Sequence, residues 1–487
     1  MKILFYNWVD YQDRQRRGGG VSVYLQSLIA AMGSNTRLEP VFLTSGLAHD
    51  LRPGAPRWQE IGKHRYEIVN ARPIAPAHAQ FGSDEQLSHP PTEAAFADFI
   101  ARTGPYDVIH FHNLEGLPAS VLAQRAHWPQ TRLLLSLHNY YPFRPQVNLW
   151  QNEARHCEDF ARGAACATCL PLRANAGAVR MSYALERRFE RLGLGPGTAF
   201  FDRGFRPALR LGWNGLRGLA GWRRKAAVNP APATTPAAPA SPPPALVHRR
   251  ERMAALINAH CDTVLCVSDR VRKLAAAHGI RETLLETCYI GTAQAAKWQQ
   301  TTAREVFLAA DGTLRLAYLG YMRADKGFFF LLDALEALPP ELARRLHLTV
   351  AARRGDATAM ARLTALTPRL ASLRHLDGYS HDGLDALLAG VDLGLVPVLW
   401  EDNLPQVAIE MHARHIPLLC SDRGGARELG NCPALTFRAG DRADFARALG
   451  AVLHGQTRPA DYWHAARAPT DMAAHLRQLE TLYSAQQ

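Results

Sequence analysis

The stretch Leu395–Glu428, LVPVLWEDNLPQVAIEMHARHIPLLCSDRGGARE, constrains the fold more tightly than any other part of the chain. It continues an apolar run, VDLGLVPVL, which is short, β-branched in places and reads as a buried parallel strand. The polar elbow from Trp400 to Pro405 comes next. In the following VAIEMHA, Val407, Ile409, Met411 and Ala413 suit a packed helix, and Pro405 fits a first turn, where no amide donor is needed. IPLLC is a second apolar run and leads into a Gly424-Gly425 turn. Strand, helix, strand at this spacing is the unit of a doubly wound α/β fold.

In such a unit the helix N-terminus lies at the carboxyl end of the sheet, with free amides and a positive dipole end aimed at the ligand. A diphosphate is the natural guest there. Asp402 sits at that mouth, and Glu410 lies just over two turns farther along the helix. Two carboxylates bracketing an amide cluster suit a ligand with hydroxyls on both sides of a phosphate, which describes a nucleotide sugar. The plainer reading makes Asp402 an N-cap and Glu410 a solvated helix residue.

At these residues the chain resembles the family 4 retaining glycosyltransferases. Their signature is a Glu before Asn-Leu-Pro, a second Glu on the helix and a Gly-Gly turn after the next strand. Asp402 stands at the first acidic position, Glu410 at the second, and Asn403, Leu404, Pro405, Gly424, Gly425 and Glu428 fall in place. The resemblance implies a GT-B fold, two Rossmann-like domains facing one another across a cleft, with Glu410 on the nucleotide ribose. It puts Asp402 on hydroxyls of the donor sugar, although aspartate is one methylene shorter, and Asn403 and Leu404 beside the donor.

A chain of 487 residues is too long for one ordinary core. No run of apolar residues is long enough to span a bilayer, and MKILFYNW reads as a first strand rather than a signal segment, so a cytoplasmic protein is expected. Eight cysteines without a secretory signal argue for thiols. A net charge of +12 calls for an anionic partner surface. No nucleic-acid-binding motif stands out, which favours an acidic membrane leaflet, contacted peripherally.

Strand KILFYNW, the triple glycine Gly18-Gly20 and helix VSVYLQSLIAAM form a strand, loop and helix in which backbone amides can approach an anion. The resemblance puts Gly19 and Gly20 against the donor phosphate or the acceptor. VFLTS, YEIVNA, DVIHFHN and TRLLLSL read as further strands, the last delivering His138 to the ligand-binding edge of the sheet. The resemblance has a residue in that place touch the donor sugar; the alternative is a satisfied structural histidine. Cys157, Cys166 and Cys169 form a CxxC pair with an outlying thiol; some of the resembled relatives carry a fourth cysteine where Arg144 stands, so the zinc set is incomplete unless His156 or a distant residue completes it, and plain thiols are the favoured reading.

From 171 to 245 the pattern changes. Arginines crowd amphipathic, tryptophan-bearing stretches up to Lys225, and a Pro/Ala linker runs from Asn229 to Ala245. A membrane-interface segment and a packed helical insertion with a solvated basic face both fit. Beyond it, Ser268 at a strand end reads as a helix cap. The chain then divides into an acceptor-side domain over 1–295, a donor-binding domain over 296–466 and a final helix, 467–487, crossing back to the first domain.

LRLAYLGYMRADKGFFFLLDALEAL opens the second domain, and Lys326 at the end of its loop can neutralise a diphosphate leaving group. Resembled enzymes also carry an arginine directly after the strand glycine. Tyr321 stands there, and Arg323 is the nearby substitute. Lys326 as a plain surface lysine is the alternative. These residues lead to an expected hexose transfer from a nucleoside diphosphate sugar to a lipid-linked or surface-polysaccharide acceptor, with catalysis by Lys326, Asp402 and His138. No cofactor is expected, because the chain has no Asp-x-Asp to hold a metal on the diphosphate. Tyr321 and Asp402 also permit a weakened homologue that binds nucleotide or a partner as an assembly subunit; a nucleotide-sugar epimerase on the same fold is a third reading.

Overall fold

The computed structural model describes residues 1–15, 17–33, 37–158, 163–167, 169, 175–209, 211–212 and 244–485. Two sheets organise them. The first has strands β1 (Lys2–Tyr6), β2 (Glu39–Ala48), β3 (Arg57–Gly62), β4 (Arg65–Val69), β5 (Val108–Phe111), β6 (Arg132–Leu137), β9 (Thr263–Cys266) and β10 (Leu285–Thr287), in the order β10-β9-β6-β5-β1-β2-β4-β3. A separate two-stranded ribbon, β7 (Trp150–Gln151) with β8 (Arg155–His156), lies between β6 and β9 in the chain. The second sheet has β11 (Leu314–Tyr321), β12 (Leu346–Arg353), β13 (Ser372–Asp377), β14 (Leu393–Val396), β15 (Leu418–Ser421) and β16 (Thr436–Phe437), in the order β13-β12-β11-β14-β15-β16.

All pairings are parallel except β3 with β4 and the β7/β8 ribbon. The central strands are covered on both faces, so Ile3, Leu4, Phe5 and Tyr6 are all buried, as are Leu393 and Leu395. β3 escaped the sequence reading for a physical reason. RWQEIG lies at the sheet edge with every residue half-buried or exposed, so it carries neither an apolar run nor a clean alternation.

Helices Gly19–Gly33 and Gln406–His412 follow β1 and β14 directly. The second is short, and Ala408, Ile409, Glu410, Met411 and His412 are all buried. Its one imidazole is satisfied on both nitrogens, by the Tyr462 hydroxyl at 2.8 Å and the Arg467 carbonyl at 2.7 Å. Pro405 caps this helix from just outside rather than occupying its first turn. The final helix, Met472–Ser484, lies on the first sheet's side of the molecule. Its His475 bonds the Tyr24 hydroxyl at 2.7 Å, and its Tyr483 hydroxyl bonds His110 at 2.7 Å.

The Pro/Ala stretch read as linker up to Ala245 gives way to helix at Pro244, since a helix runs over Pro244–His260; residues 229–243 and the basic run from Trp213 lie outside the described residues. No helix among the described residues is long and apolar enough to cross a membrane.

Candidate functional site

The carboxyl ends of β11 and β14 meet at the loop 322–327 and the elbow 400–405. Lys326 Nζ stands 2.6 Å from Asp402 Oδ2 and 5.0 Å from the centre of the Trp400 ring. The lysine keeps about a quarter of its side chain open to solvent (26%), whereas Asp402 is buried. Gly327 explains how the loop reaches this position. Its φ is +72°, and a Cβ there would lie 1.6 Å from the Pro397 carbonyl oxygen, so only glycine lets the loop press onto the β14 end.

The Gly424-Gly425 turn serves packing. A Cβ at Gly424, where φ is +72°, would lie 2.1 Å from the Asp402 carbonyl oxygen; one at Gly425 would lie 2.3 Å from that of Asn403. The turn therefore clamps the elbow, and Gly425 N–H donates to Asp402 O at 2.9 Å. Asn403 faces the first sheet. Its amide donates to the Leu137 carbonyl at 3.1 Å, and its own carbonyl accepts from the Ser268 hydroxyl at 2.8 Å. Leu404 packs into the core.

Ser268 also caps the helix Asp269–Ala277, as its place at a strand end suggested. Glu428 closes the same helix end from the second sheet, accepting from the amides of Asp269 at 2.9 Å and Arg270 at 2.7 Å. Beside it lies Glu401, which the sequence reading did not single out. It is fully buried and accepts from the Arg270 guanidinium at 2.8 Å, from Arg423 at 3.1 Å and from the Gly424 amide at 2.9 Å. Burial pushes its carboxyl up, but these three donors outweigh burial and bring it down to about 2. The only signal in the sequence was its adjacency to Asp402.

Glu410 lies deeper on the same short helix. Its two oxygens accept from the Tyr379 hydroxyl at 2.9 Å and from His381 Nε2 at 3.0 Å. The bond to Glu410 raises the His381 imidazole above its ordinary value. Both partners come from the loop after β13, and neither stood out in the sequence.

On the opposite wall, the Gly20 carbonyl accepts from the Gln406 amide at 2.9 Å, which brings the glycine loop to the start of the short helix. Gly19 has φ +54° and opens the helix after β1. His138 follows the Leu137 carbonyl that Asn403 holds. Its Nε2 lies 3.0 Å from His112 Nδ1, and burial, with His475 nearby, pushes the imidazole down to about 3, so it is neutral at physiological pH. Four histidines converge here, since the His110 ring lies 4.0 Å from that of His112, tilted by 34°.

Arg323 folds back onto Asp325 through two bonds of 2.9 Å, and the Tyr321 ring is exposed. Cys157, Cys166 and Cys169 line one cavity of about 10 Å³ together with Arg144. No group of three or more ligating side chains that could hold a metal ion occurs among the described residues.

Residues 313–455 match the family model described as Glycosyl transferases group 1. The match spans the second sheet and its helices, from β11 to the helix Arg442–Leu453. In structure the whole chain is similar to HepE of Anabaena in complex with UDP, at 14% identity and TM-score 0.56 over 100% of both chains. It is also similar to sucrose-phosphate synthase from Thermosynechococcus elongatus, at 15% identity and TM-score 0.53 over 99% of this chain and 98% of that one. The α,α-trehalose 6-phosphate synthase of Burkholderia multivorans gives 15% identity and TM-score 0.55 over 99% of this chain and 96% of that one. At these identities the likeness concerns the fold, the two Rossmann-like bodies of GT-B. No curated protein matches the chain. The Lys326–Asp402 pair, the clamped elbow and Glu410 all lie within the matched residues, on the segment from β11 to β15.

Proposed function

We propose that the chain is a retaining glycosyltransferase that moves a hexose from a nucleoside diphosphate sugar to a hydroxyl of a lipid-linked or surface-polysaccharide acceptor, working at the inner face of the plasma membrane. The observation that carries this reading is the placement of a cation, Lys326, against Asp402 at the strand ends, with Glu410 on the adjoining helix. That sequence of groups matches a diphosphate flanked by a sugar and a ribose. HepE, which shares the fold, has been crystallised with UDP-glucose, which supports a donor of this class.

In this reading Lys326 neutralises the charge that develops on the leaving diphosphate as the bond from the sugar's anomeric carbon to the phosphate oxygen breaks. The acceptor oxygen bonds that carbon from the same face, and its proton passes to the departing phosphate oxygen. Asp402 turns to the sugar hydroxyls, and the neutral His138 offers a hydrogen bond from the opposite wall. The test is a panel of labelled nucleotide sugars incubated with the full chain and membrane lipid extract. Transfer of label, abolished in Lys326→Ala, is the expected result; release or transfer that Lys326→Ala leaves intact refutes the assignment.

A second reading, a nucleotide-binding assembly subunit of low activity, is favoured by the commitment of Arg323 to Asp325 and of both Glu410 oxygens to Tyr379 and His381. It predicts thermal stabilisation by a nucleoside diphosphate without turnover of any donor.

A further inference from the structure

The helix Ala176–Arg191 and the helical segment that begins at Phe200 form an appendage on the first domain, held on one face only. Tyr183 donates to the Ala75 carbonyl at 3.0 Å, Arg180 donates to that of Arg72 at 2.7 Å, and Arg187 pairs with Glu67. Glu186 ties it to the loop after β1, accepting from Gln15 at 3.3 Å. The two helical pieces lock through aromatic contacts, Phe189 with Phe200 at 5.0 Å and with Phe205 at 4.9 Å.

The other face is unlike the rest of the surface. Met181, Leu192, Leu194, Phe200 and Leu211 are exposed at 51, 55, 39, 45 and 72%, five of the ten large hydrophobic side chains that stand exposed among the described residues. Interleaved with them are Arg188, Arg191 and Arg203, all exposed and none ion-paired with an acidic side chain among the described residues. Glu190 is the local counter-charge, and Asp202 lies 3.9 Å from Arg206. The charge is also segregated along the chain. Between Asp202 and Glu251 no acidic residue occurs, while Arg203, Arg206, Arg210, Arg217, Arg223, Arg224 and Lys225 do.

We infer that this face docks on an anionic lipid bilayer. Arginines attract the headgroup phosphates, and exposed Leu, Phe and Met side chains between them gain by entering the acyl boundary, a combination that a purely polyanionic partner such as nucleic acid would not reward. Its position gives the docking a purpose. The Arg72–Ala75 segment that the helix grips runs directly into Ala77–Gln80, where His78 feels the charge of Arg323 from the other domain and, chiefly through burial, titrates below its ordinary value. The face therefore adjoins the first domain's lip of the cleft, where a lipid-borne hydroxyl would enter. The purpose rests on the transferase reading, but the docking does not.

The test uses the full chain and sedimentation with phosphatidylcholine vesicles, with and without phosphatidylglycerol. The wild type sediments with the anionic vesicles and is released by salt. Arg188→Glu/Arg191→Glu/Arg203→Glu loses about a hundredfold in partitioning, since each basic residue near an anionic surface contributes about a factor of five. Leu192→Ser/Leu194→Ser/Phe200→Ser keeps only the salt-labile part. Equal partitioning of wild type and variants, or retention on single-stranded DNA in place of vesicles, overturns the proposal. Both variants should keep the thermal shift given by a nucleoside diphosphate. Loss of vesicle binding with that shift retained in the wild type refutes docking alone; absence of the shift with docking retained refutes the donor reading alone.

Discussion

Lys326 Nζ lies 2.6 Å from Asp402 Oδ2, so the cation and the acid proposed for the two ends of a donor are each other's partner. A diphosphate entering between them has to draw the lysine off the carboxylate. Removing one preorganised donor to a developing oxyanion typically costs about 2.7–4 kcal/mol of barrier. Lys326→Ala should therefore lower kcat about a hundredfold or more, together with a fall in Tm because the buried Asp402 carboxylate loses its partner. Asp402→Asn should weaken transfer less while tightening the nucleoside diphosphate itself, because the lysine is released to it. The two effects should not add, a coupling that a double-mutant cycle measured by kinetics and calorimetry will read.

Glu410 supplies a pH dependence. Its bond to His381 raises the imidazole, so the protonated pair is complete below the ordinary value of 6.5 and is lost as pH rises through the folded value. Charged and titratable neighbours here are Asp382, Arg414 and Tyr379. A ribose that needs a Glu410 oxygen competes with this bond. Nucleotide affinity should then increase as pH rises above 6.5, and His381→Asn should flatten the profile. Calorimetric titrations across that range decide it, and an unchanged slope in the variant counts against the competition.

Much of this architecture was legible because parallel strands buried on both faces are continuous apolar runs, as in KILFY and LGLV, and because Pro405 and the paired glycines punctuate the elbow. What stayed hidden depends on distance in space. In the sequence Glu401 is simply part of the polar elbow beside Asp402, yet three donors from two separate segments converge on it. Tyr379 and His381 sit in a polar loop with no periodicity, and only the sheet order places them on Glu410. The Gly424-Gly425 turn was visible as a turn, but that its missing side chains admit the Asp402 and Asn403 carbonyls is a tertiary fact.

That close approach makes Gly424 a sensitive position. An alanine there would hold a left-handed backbone and put a methyl 2.1 Å from the Asp402 carbonyl oxygen. The conformational term and the overpacking term together cost about 2–5 kcal/mol. Urea unfolding of Gly424→Ala should show a lower midpoint, and the displaced elbow should raise KM for the donor. Gly440, whose φ is +80° with open space around it, is the control. Alanine there pays the backbone term alone and should leave KM unchanged.

Glu401 sets the acid limit of the interface between the two sheets' domains. Its carboxyl is brought from 4.5 to about 2 in the folded chain. A depressed acid contributes stability that is complete above the unfolded value and lost as pH falls toward the folded one, so the window runs from about 4.5 down to about 2. Glu401→Gln leaves the Arg270 and Arg423 guanidiniums facing a neutral amide. Breaking one side of a buried ionic network costs about 3–5 kcal/mol. Arg270 and Arg423 each keep about a quarter of their side chains exposed, so water recovers part of that and the lower end is expected. The urea midpoint of the variant should be lower at neutral pH and converge on the wild type as the medium is acidified through this window. Parallel curves at all pH values would place the acid sensitivity on other carboxylates and leave Glu401 a packing residue.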